Sequence, residues 1–297
     1  MTENSMLKKR LEFQSSGETC VGYLYYTDGK NPRPCIIMGS GFGGTQDTPS
    51  MIAVAERFAE AGFCAFTFDY RHLGESGGEP RQHIDIAGQQ QDFLAAIKFI
   101  KENPLVDENK LGLWGTSLGG GHVVSVAAVS QDITAVISQI PYNGFPKKSN
   151  RSFLDTMRFL SAMRKDRKRG KKGLAPFYIP AIGKPDELAV IAGDEAAKII
   201  ENMQSKTWRN EVAPRGIYDM MKYKPSKTAG SVKATVLVCY GEKDKETQVP
   251  EVLELIESLP KTEVKAYPFS HFEFYNPKIR EGIISDQIAF LNCMFKK

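Results

Sequence analysis

Residues 110–130 read KLGLWGTSLGGGHVVSVAAVS. The apolar run KLGLWGT predicts a buried strand, and the residues from Ser117 onward predict a helix. Ser117 therefore falls at a strand-to-helix junction, with Gly115 and Gly119 two residues to either side. A serine on so sharp a turn stands exposed at the end of a sheet, and side chains at its flanking positions would collide with neighbouring backbone. Gly120 and Gly121 each lower helix propensity by about 1 kcal/mol relative to alanine, which predicts close packing or a pocket wall. The N–H of Leu118 lies at the helix N-terminus, where it can face an oxyanion. G-x-S-x-G alone is a common loop pattern, so its meaning depends on what the rest of the chain supplies.

Outward from this junction, strand and helix signals alternate. LKKRLEFQ and TCVGYLYYTD flank SSGE and predict a hairpin. PCIIMGS is a short strand ending in glycines. DTPSMIAVAERFAEAG predicts a helix capped by Asp47 or Thr48, with Pro49 in its first turn and Gly62 at its end. FCAFTFDY is the next strand, followed by the loop RHLGESGGEPRQ and the amphipathic helix IDIAGQQQDFLAAIKFIKENP. After Ser117 and its helix comes the strand ITAVISQIPY. Residues 146–230 then break the alternation. They offer no convincing strand, and RSFLDTMRFLSAMRKD and DEAAKIIENM predict helices. The alternation resumes with ATVLVCYGEKD, VPEVLELIESLP, TEVKAYPFS and PKIREGIISDQIAFLNCMF. The expected fold class is α/β: an eight-stranded, mostly parallel sheet flanked by helices, its core at 1–145 and 231–297, with a helical cap at 146–230 inserted after the sixth strand.

A nucleophilic serine needs a base, and the chain has four histidines. His122 follows Ser117 by five residues on one helix and points away from it at about 100° per residue. His72 and His83 read as surface or satisfied polar residues. His271, in YPFSHFEFY, directly follows the last strand and so shares a sheet edge with Ser117. The loop CYGEKDKETQVP after the seventh strand offers an acid to orient that histidine: Asp244, with Glu242 as second candidate. The glycine-rich MGSGFGGT after the third strand lets the N–H of Phe42 turn toward the serine, paired with that of Leu118. The order Ser117, Asp244, His271 suits this architecture.

The motifs GSGFGG, FDYRHLGESGG, LWGTSLGG, YGEKD and SHFE together resemble the α/β-hydrolase superfamily over essentially the whole chain. YRHLGESGGEPRQ and LWGTSLGGGHV more closely resemble the dienelactone-hydrolase-like and peptidase S15-like bacterial hydrolases and the fungal polyketide transferase of fumagillin biosynthesis. Many relatives carry histidine where Ser40 stands. The resemblance implies that Asp69 and Arg71 match a recurrent polar pair, read here as a structural ion pair or loop anchor. It also implies that the insertion forms a cap above the serine, so Phe153, Phe177, Tyr178 and Trp208 are candidate substrate-binding residues.

Composition sets the outer bounds. The chain has 297 residues, 41% hydrophobic and 25% charged, enough for a substantial core. A net charge of +4 is too small to imply nucleic-acid binding, and no apolar run approaches the roughly 20 residues of a membrane span. The five cysteines form no C-x-x-C pair, and MTENSMLKKRLEF lacks the apolar core of a secretory signal; both agree with reduced thiols and a cytoplasmic setting. The expected function is a serine hydrolase acting on carboxylic esters or related small acyl substrates, with no cofactor and no metal. The alternatives are an acyltransferase or thioesterase with the same residues, an S15-like peptidase, and a binding protein without catalysis. The basic run RKDRKRGKK reads as a solvated face or as a guide for an anionic thioester. Oligomeric state is not legible.

Overall fold

Alternate residues of single strands enter different cores. In β3 (Arg33–Gly39) of the computed structural model, Cys35 and Ile37 belong to one apolar cluster, and Ile36 and Met38 to another. A strand buried on both faces reads as a continuous apolar run, as PCIIMGS does. The structure describes residues 5–29, 32–145 and 152–296.

The remaining strands of the sheet are β1 (Met6–Ser15), β2 (Glu18–Thr27), β4 (Cys64–Phe68), β5 (Val106–Thr116), β6 (Ile133–Gln139), β9 (Thr235–Gly241) and β10 (Thr262–Tyr267). A parallel pair of two-residue strands, β7 (Ile182–Gly183) and β8 (Ile191–Ala192), stands apart from it. The eight strands lie in the order β1-β2-β4-β3-β5-β6-β9-β10. β1 and β2 form the antiparallel hairpin expected at SSGE, β2 meets β4 antiparallel, and the other pairs are parallel.

Helices α1 (Pro49–Glu60) and α9 (Pro277–Lys296) cover one face, contributing Val54, Phe58, Ile284 and Leu291 to its core. On the other face lie α2 (Ile86–Lys101), α3 (Leu118–Ala127) and α8 (Val249–Ser258), with Phe93, Val123 and Leu255 among the buried residues. Parallel strands place all their C-terminal ends at one edge. The loops after β3, β5, β9 and β10 therefore converge there, and they carry Phe42, Ser117, Asp244 and His271.

Between β6 and β9 the chain forms α4 (Phe153–Lys171), α5 (Asp194–Met203), α6 (Ile217–Lys222) and α7 (Ser226–Ala229). The expected start of the insertion at 146 and the first residue of its helix at 151 lie outside the described residues. Three expectations are corrected. The insertion does contain strand, in β7 and β8. Most of the basic run continues α4, which ends at Lys171. β6 ends at Gln139 rather than Tyr142, because Ile140 takes a φ of 39° and turns the chain out of the sheet.

Candidate active site

Ser117 itself has φ 54° and ψ −118°, a conformation that costs a non-glycine residue on the order of 1–3 kcal/mol. The surroundings hold it there. Its N–H donates to the Gln139 carbonyl at 2.9 Å, and its own carbonyl accepts from Tyr142 N–H at 2.9 Å. The flanking glycines are required by contact as well as by the turn. A Cβ on Gly115 would meet the Gly119 carbonyl, and one on Gly119 would meet the carbonyls of Gly39 and Ser40. Gly121 likewise packs against the Tyr142 carbonyl, so the glycine run is a close approach of α3 to neighbouring loops.

Four residues past β10, His271 is 4% exposed; Asp244, three residues past β9, is 7% exposed. His271 Nδ1 lies 2.7 Å from Asp244 Oδ2. A carboxylate only accepts, so Nδ1 carries the hydrogen and Nε2 is left as the basic nitrogen. Asp244 is fixed by three further donors: Glu246 N–H at 2.8 Å, Thr247 N–H at 2.9 Å and the Thr247 hydroxyl at 2.9 Å. Burial opposes its charge, but the nearby His271 and these hydrogen bonds hold its pKa below the ordinary carboxyl value. Burial also opposes a charged His271, yet the Asp244 carboxylate prevails and raises the imidazole pKa above its ordinary value. Glu242 is exposed.

Ser117 and His271 line one cavity of about 40 Å³, together with Gly41, Phe42 and Tyr275. Leu118 is the first residue of α3, so its N–H has no acceptor one turn back in the helix. The loop carrying Phe42 is closed by the Ser40 hydroxyl, which donates to the Gly44 carbonyl at 2.7 Å, and by Gly44 N–H, which donates to the Gly41 carbonyl at 3.1 Å. Serine at position 40 thus shapes the loop through its own short bond. A second cleft of about 410 Å³ adjoins His271 and runs beneath Val190–Ala196.

The other histidines are placed elsewhere. His122 is fully buried between Gln89, at 2.9 Å, and the Tyr223 hydroxyl, at 3.2 Å; burial pushes its pKa down to about 3. His72 is buried and His83 half-buried, with ring centres 5.4 Å apart; of the two readings expected, surface or satisfied polar residue, the first does not hold for His72. Asp69 and Arg71 do not pair with each other. Asp69 accepts from Gln46 and Glu75 N–H groups, while Arg71 pairs with Asp92 at 2.8 Å, so each anchors a loop separately.

None of the four candidate cap aromatics lines the cavity at Ser117. Phe153 is 77% exposed on the outer side of α4. The Phe177 ring lies under Lys165 Nζ at 3.6 Å, and the Tyr178 hydroxyl donates to the Arg81 carbonyl at 3.1 Å. Trp208 is half-buried against the core. The insertion instead meets the cavity with aliphatic residues: Ile182, Ile191, Ile199 and Met203. Ile199 and Met203 sit four residues apart in DEAAKIIENM, a spacing that marks one helix face and was the available signal. Of the two cap candidates for α1, Asp47 and Thr48, Asp47 does not take the role. It accepts instead from Ser205 and Thr207 of the insertion, at 2.7–3.0 Å, while Thr48 occupies the cap position without a side-chain cap bond.

Among the described residues no group of three or more His, Cys, Asp and Glu could hold a metal ion, and no helix is long and apolar enough to cross a membrane.

The sequence profile of the family described as serine aminopeptidase, S33, matches residues 30–273. The chain belongs to this hydrolase family. It is 34% identical over 284 residues to the quorum-quenching protein AidA of Acinetobacter baumannii, covering 95% of this chain and 93% of that protein. It is 32% identical over 224 residues to the thiohydrolase apmlB of Arthrinium phaeospermum, covering 69% of each. The crystal structure of the α/β hydrolase GrgF from Penicillium sp. superposes with a TM-score of 0.81 at 23% identity, covering 98% of this chain and all of that one. The chain is an α/β-hydrolase enzyme.

Proposed function

We propose that this hydrolase cleaves small acyl esters or thioesters through a covalent acyl-enzyme on Ser117. The observation that carries the reading is the 2.7 Å bond from His271 Nδ1 to Asp244, which leaves Nε2 basic in a residue that shares a cavity with Ser117. Ser117 Oγ attacks the acyl carbonyl as His271 Nε2 takes its proton. The resulting oxyanion accepts from the N–H groups of Phe42 and Leu118, each contributing about 10²–10³ in rate. The intermediate collapses, and His271 returns the proton to the departing alcohol or thiol. Water, deprotonated by the same nitrogen, then attacks the acyl carbon; the bond to Ser117 Oγ breaks, His271 returns the proton to Ser117, and the acid leaves. Asp244 holds the tautomer and stabilises the imidazolium.

The 40 Å³ cavity admits only a few atoms, so a medium acyl chain or the leaving group extends into the cleft beyond His271. That cleft also supports acyl transfer as a second reading, since it offers room for an acceptor other than water. The relative named as a thiohydrolase favours thioesters within the substrate class. The segment 146–230 serves as the cap that sets substrate choice, through Ile182, Ile191, Ile199 and Met203. Four buried free cysteines agree with a cytoplasmic setting.

The test is a panel of acyl esters, thioesters and aminoacyl amides assayed with wild type and Ser117→Ala, alongside mass spectrometry after a fluorophosphonate probe. The expected result is turnover of esters or thioesters, its loss in Ser117→Ala, and the adduct on Ser117. An adduct on another serine, or full turnover by Ser117→Ala, overturns the reading.

A further inference from the structure

Behind Ser117 runs a chain of buried hydrogen bonds whose direction is fixed at its far end. Trp114 Nε1 of β5 donates to Gln287 Oε1 of α9 at 3.0 Å. An indole N–H can only donate, which sets the first link. Gln287 Nε2 in turn donates to Gln139 Oε1 at 2.8 Å, and Gln139 Nε2 donates to Thr116 Oγ1 at 3.2 Å. The next atom along is the Tyr275 hydroxyl, 3.5 Å from Thr116 Oγ1. Trp114, Gln287, Gln139 and Thr116 are each at most 4% exposed, so none can turn to water for a different partner.

The two hydroxyls close this chain in one of two ways. If Tyr275 donated to Thr116, the threonine hydrogen would be left buried without an acceptor, at a cost of about 1–3 kcal/mol. If Thr116 donates to Tyr275, the threonine hydrogen has its acceptor and no hydroxyl of the chain is left with a buried, unpaired hydrogen. The tyrosine hydrogen is then free for whatever occupies the cavity that Tyr275 shares with Ser117, Gly41 and Phe42. Tyr275 Oη also lies 3.7 Å from the point where a side chain on Gly41 would begin, the same point being 3.2 Å from Ser117 Cβ. The missing side chain at Gly41 thus leaves open the space between the hydroxyl and the serine, beside the loop that carries the Phe42 N–H.

We infer that Tyr275 is a catalytic residue of this site, its hydroxyl donating a third hydrogen bond to the oxygen of the tetrahedral intermediate, beside the N–H groups of Phe42 and Leu118. The inference rests on Ser117 being the nucleophile. Burial pushes the phenol pKa up to about 12, so the group stays a donor throughout the range in which His271 acts as a base. The chain from Trp114 also turns the hydroxyl before substrate arrives, so it need not reorient when charge develops.

The variant that isolates the hydroxyl is Tyr275→Phe, measured against wild type and Ser117→Ala. The expected result is a fall in kcat/KM of about 10²-fold, carried in kcat. Affinity for a trifluoromethyl ketone, which forms a tetrahedral adduct on the serine, should weaken by the same factor, and affinity for a non-reactive substrate analogue should be retained. A purely structural role would weaken both inhibitors together and lower the melting temperature, and that pattern overturns the inference. So does a Tyr275→Phe enzyme with unchanged kcat/KM and unchanged ketone affinity. If Tyr275→Phe does not fold, Thr116→Val removes the donor that orients the phenol; it should weaken ketone binding selectively, and unchanged binding counts against the inference. An active Ser117→Ala enzyme overturns the nucleophile itself. An inactive Ser117→Ala beside a fully active Tyr275→Phe overturns only the tyrosine.

Discussion

A histidine that takes a proton from serine must be neutral at rest and must tolerate charge for the length of one step. His271 meets both conditions through Asp244, whose carboxylate raises the imidazole pKa despite burial. With Ser117 as nucleophile, kcat/KM should rise with pH through a single group whose pKa lies above about 6.5, the ordinary histidine value. Asp244→Asn should lower kcat by about 10⁴-fold, because an amide N–H can face Nδ1 and favour the wrong tautomer. In that variant the inflection should also move to lower pH, since the raising charge is gone. A pH–rate profile of both proteins checks this, and an inflection unmoved by Asp244→Asn speaks against His271 as the base. The sign for stability is opposite. A raised histidine pKa adds stability that is fully present below the unfolded value and lost as pH rises through the folded one. That Ser117, Asp244 and His271 share one sheet edge was legible in sequence because each follows a strand end. Tyr275 was not, because its place depends on a packed chain of four other side chains drawn from β5, β6 and α9.

At the scale of elements, the inner strands β3, β4, β5, β6 and β9 could be read because strands buried on both faces are apolar at nearly every position, whereas the edge strands β1 and β10 are largely exposed and carry charges. The insertion was harder. Besides buried apolar residues such as Phe159, Met163 and Ile199, it is tied to the core by single polar anchors that carry no periodicity. Asp47 is one. It sits just before α1 and accepts three hydrogen bonds from the insertion, from the Ser205 hydroxyl, the Thr207 N–H and the Thr207 hydroxyl, besides one from Thr45. Burial opposes its charge, but these donors together lower its pKa. Asp47→Ala should destabilise the fold by about 1–3 kcal/mol, the range for removing a partially buried charged acceptor. The damage should appear first as faster proteolysis within 204–213, with the sheet intact. A depressed carboxyl pKa contributes stability above the unfolded value, about 3.9, and loses it as pH falls through the folded value. The difference between the two proteins should therefore stay constant from neutral pH down to about 5 and shrink only below about 4. Denaturation curves at several pH values check the sign, and a difference that grows on acidification contradicts it. The aromatic residues misled for a related reason. Phe153 reads as apolar, yet α4 turns it outward, and the helix face presented to the site comes from α5.

The distribution of charge over the described residues bears on which substrates can enter. Read as sequence, the basic run 164–172 invites an anionic substrate. In the fold it occupies α4, where Lys165 lies over Phe177, Arg167 lies over Tyr218, and Asp166 points inward to Arg215 at 2.8 Å. None of its residues lines the cavity at Ser117 or the cleft beside His271. Among the described residues that line the cleft, Asp194 and Glu195 bring two carboxylates from the first turn of α5, beside Lys245 and an Asp155 paired with Arg158. A polyanionic leaving group such as coenzyme A is repelled by Asp194 and Glu195 there, whereas a short neutral thiol ester is not. Screening falls off over about 8–10 Å at ordinary ionic strength, so added salt acts directly on an open cleft of this kind. Raising salt from low concentration should increase kcat/KM for a coenzyme A thioester and leave that for a neutral thioester of the same acyl group unchanged. Replacing Asp194 and Glu195 with Asn and Gln should reproduce the salt effect at low ionic strength. Replacing Arg164, Arg167, Lys168 and Arg169 with Gln should leave the ratio of the two substrates where it was. A kcat/KM for the coenzyme A thioester that falls with salt, and falls again when those four cations are removed, would assign the steering to α4 instead of the cleft.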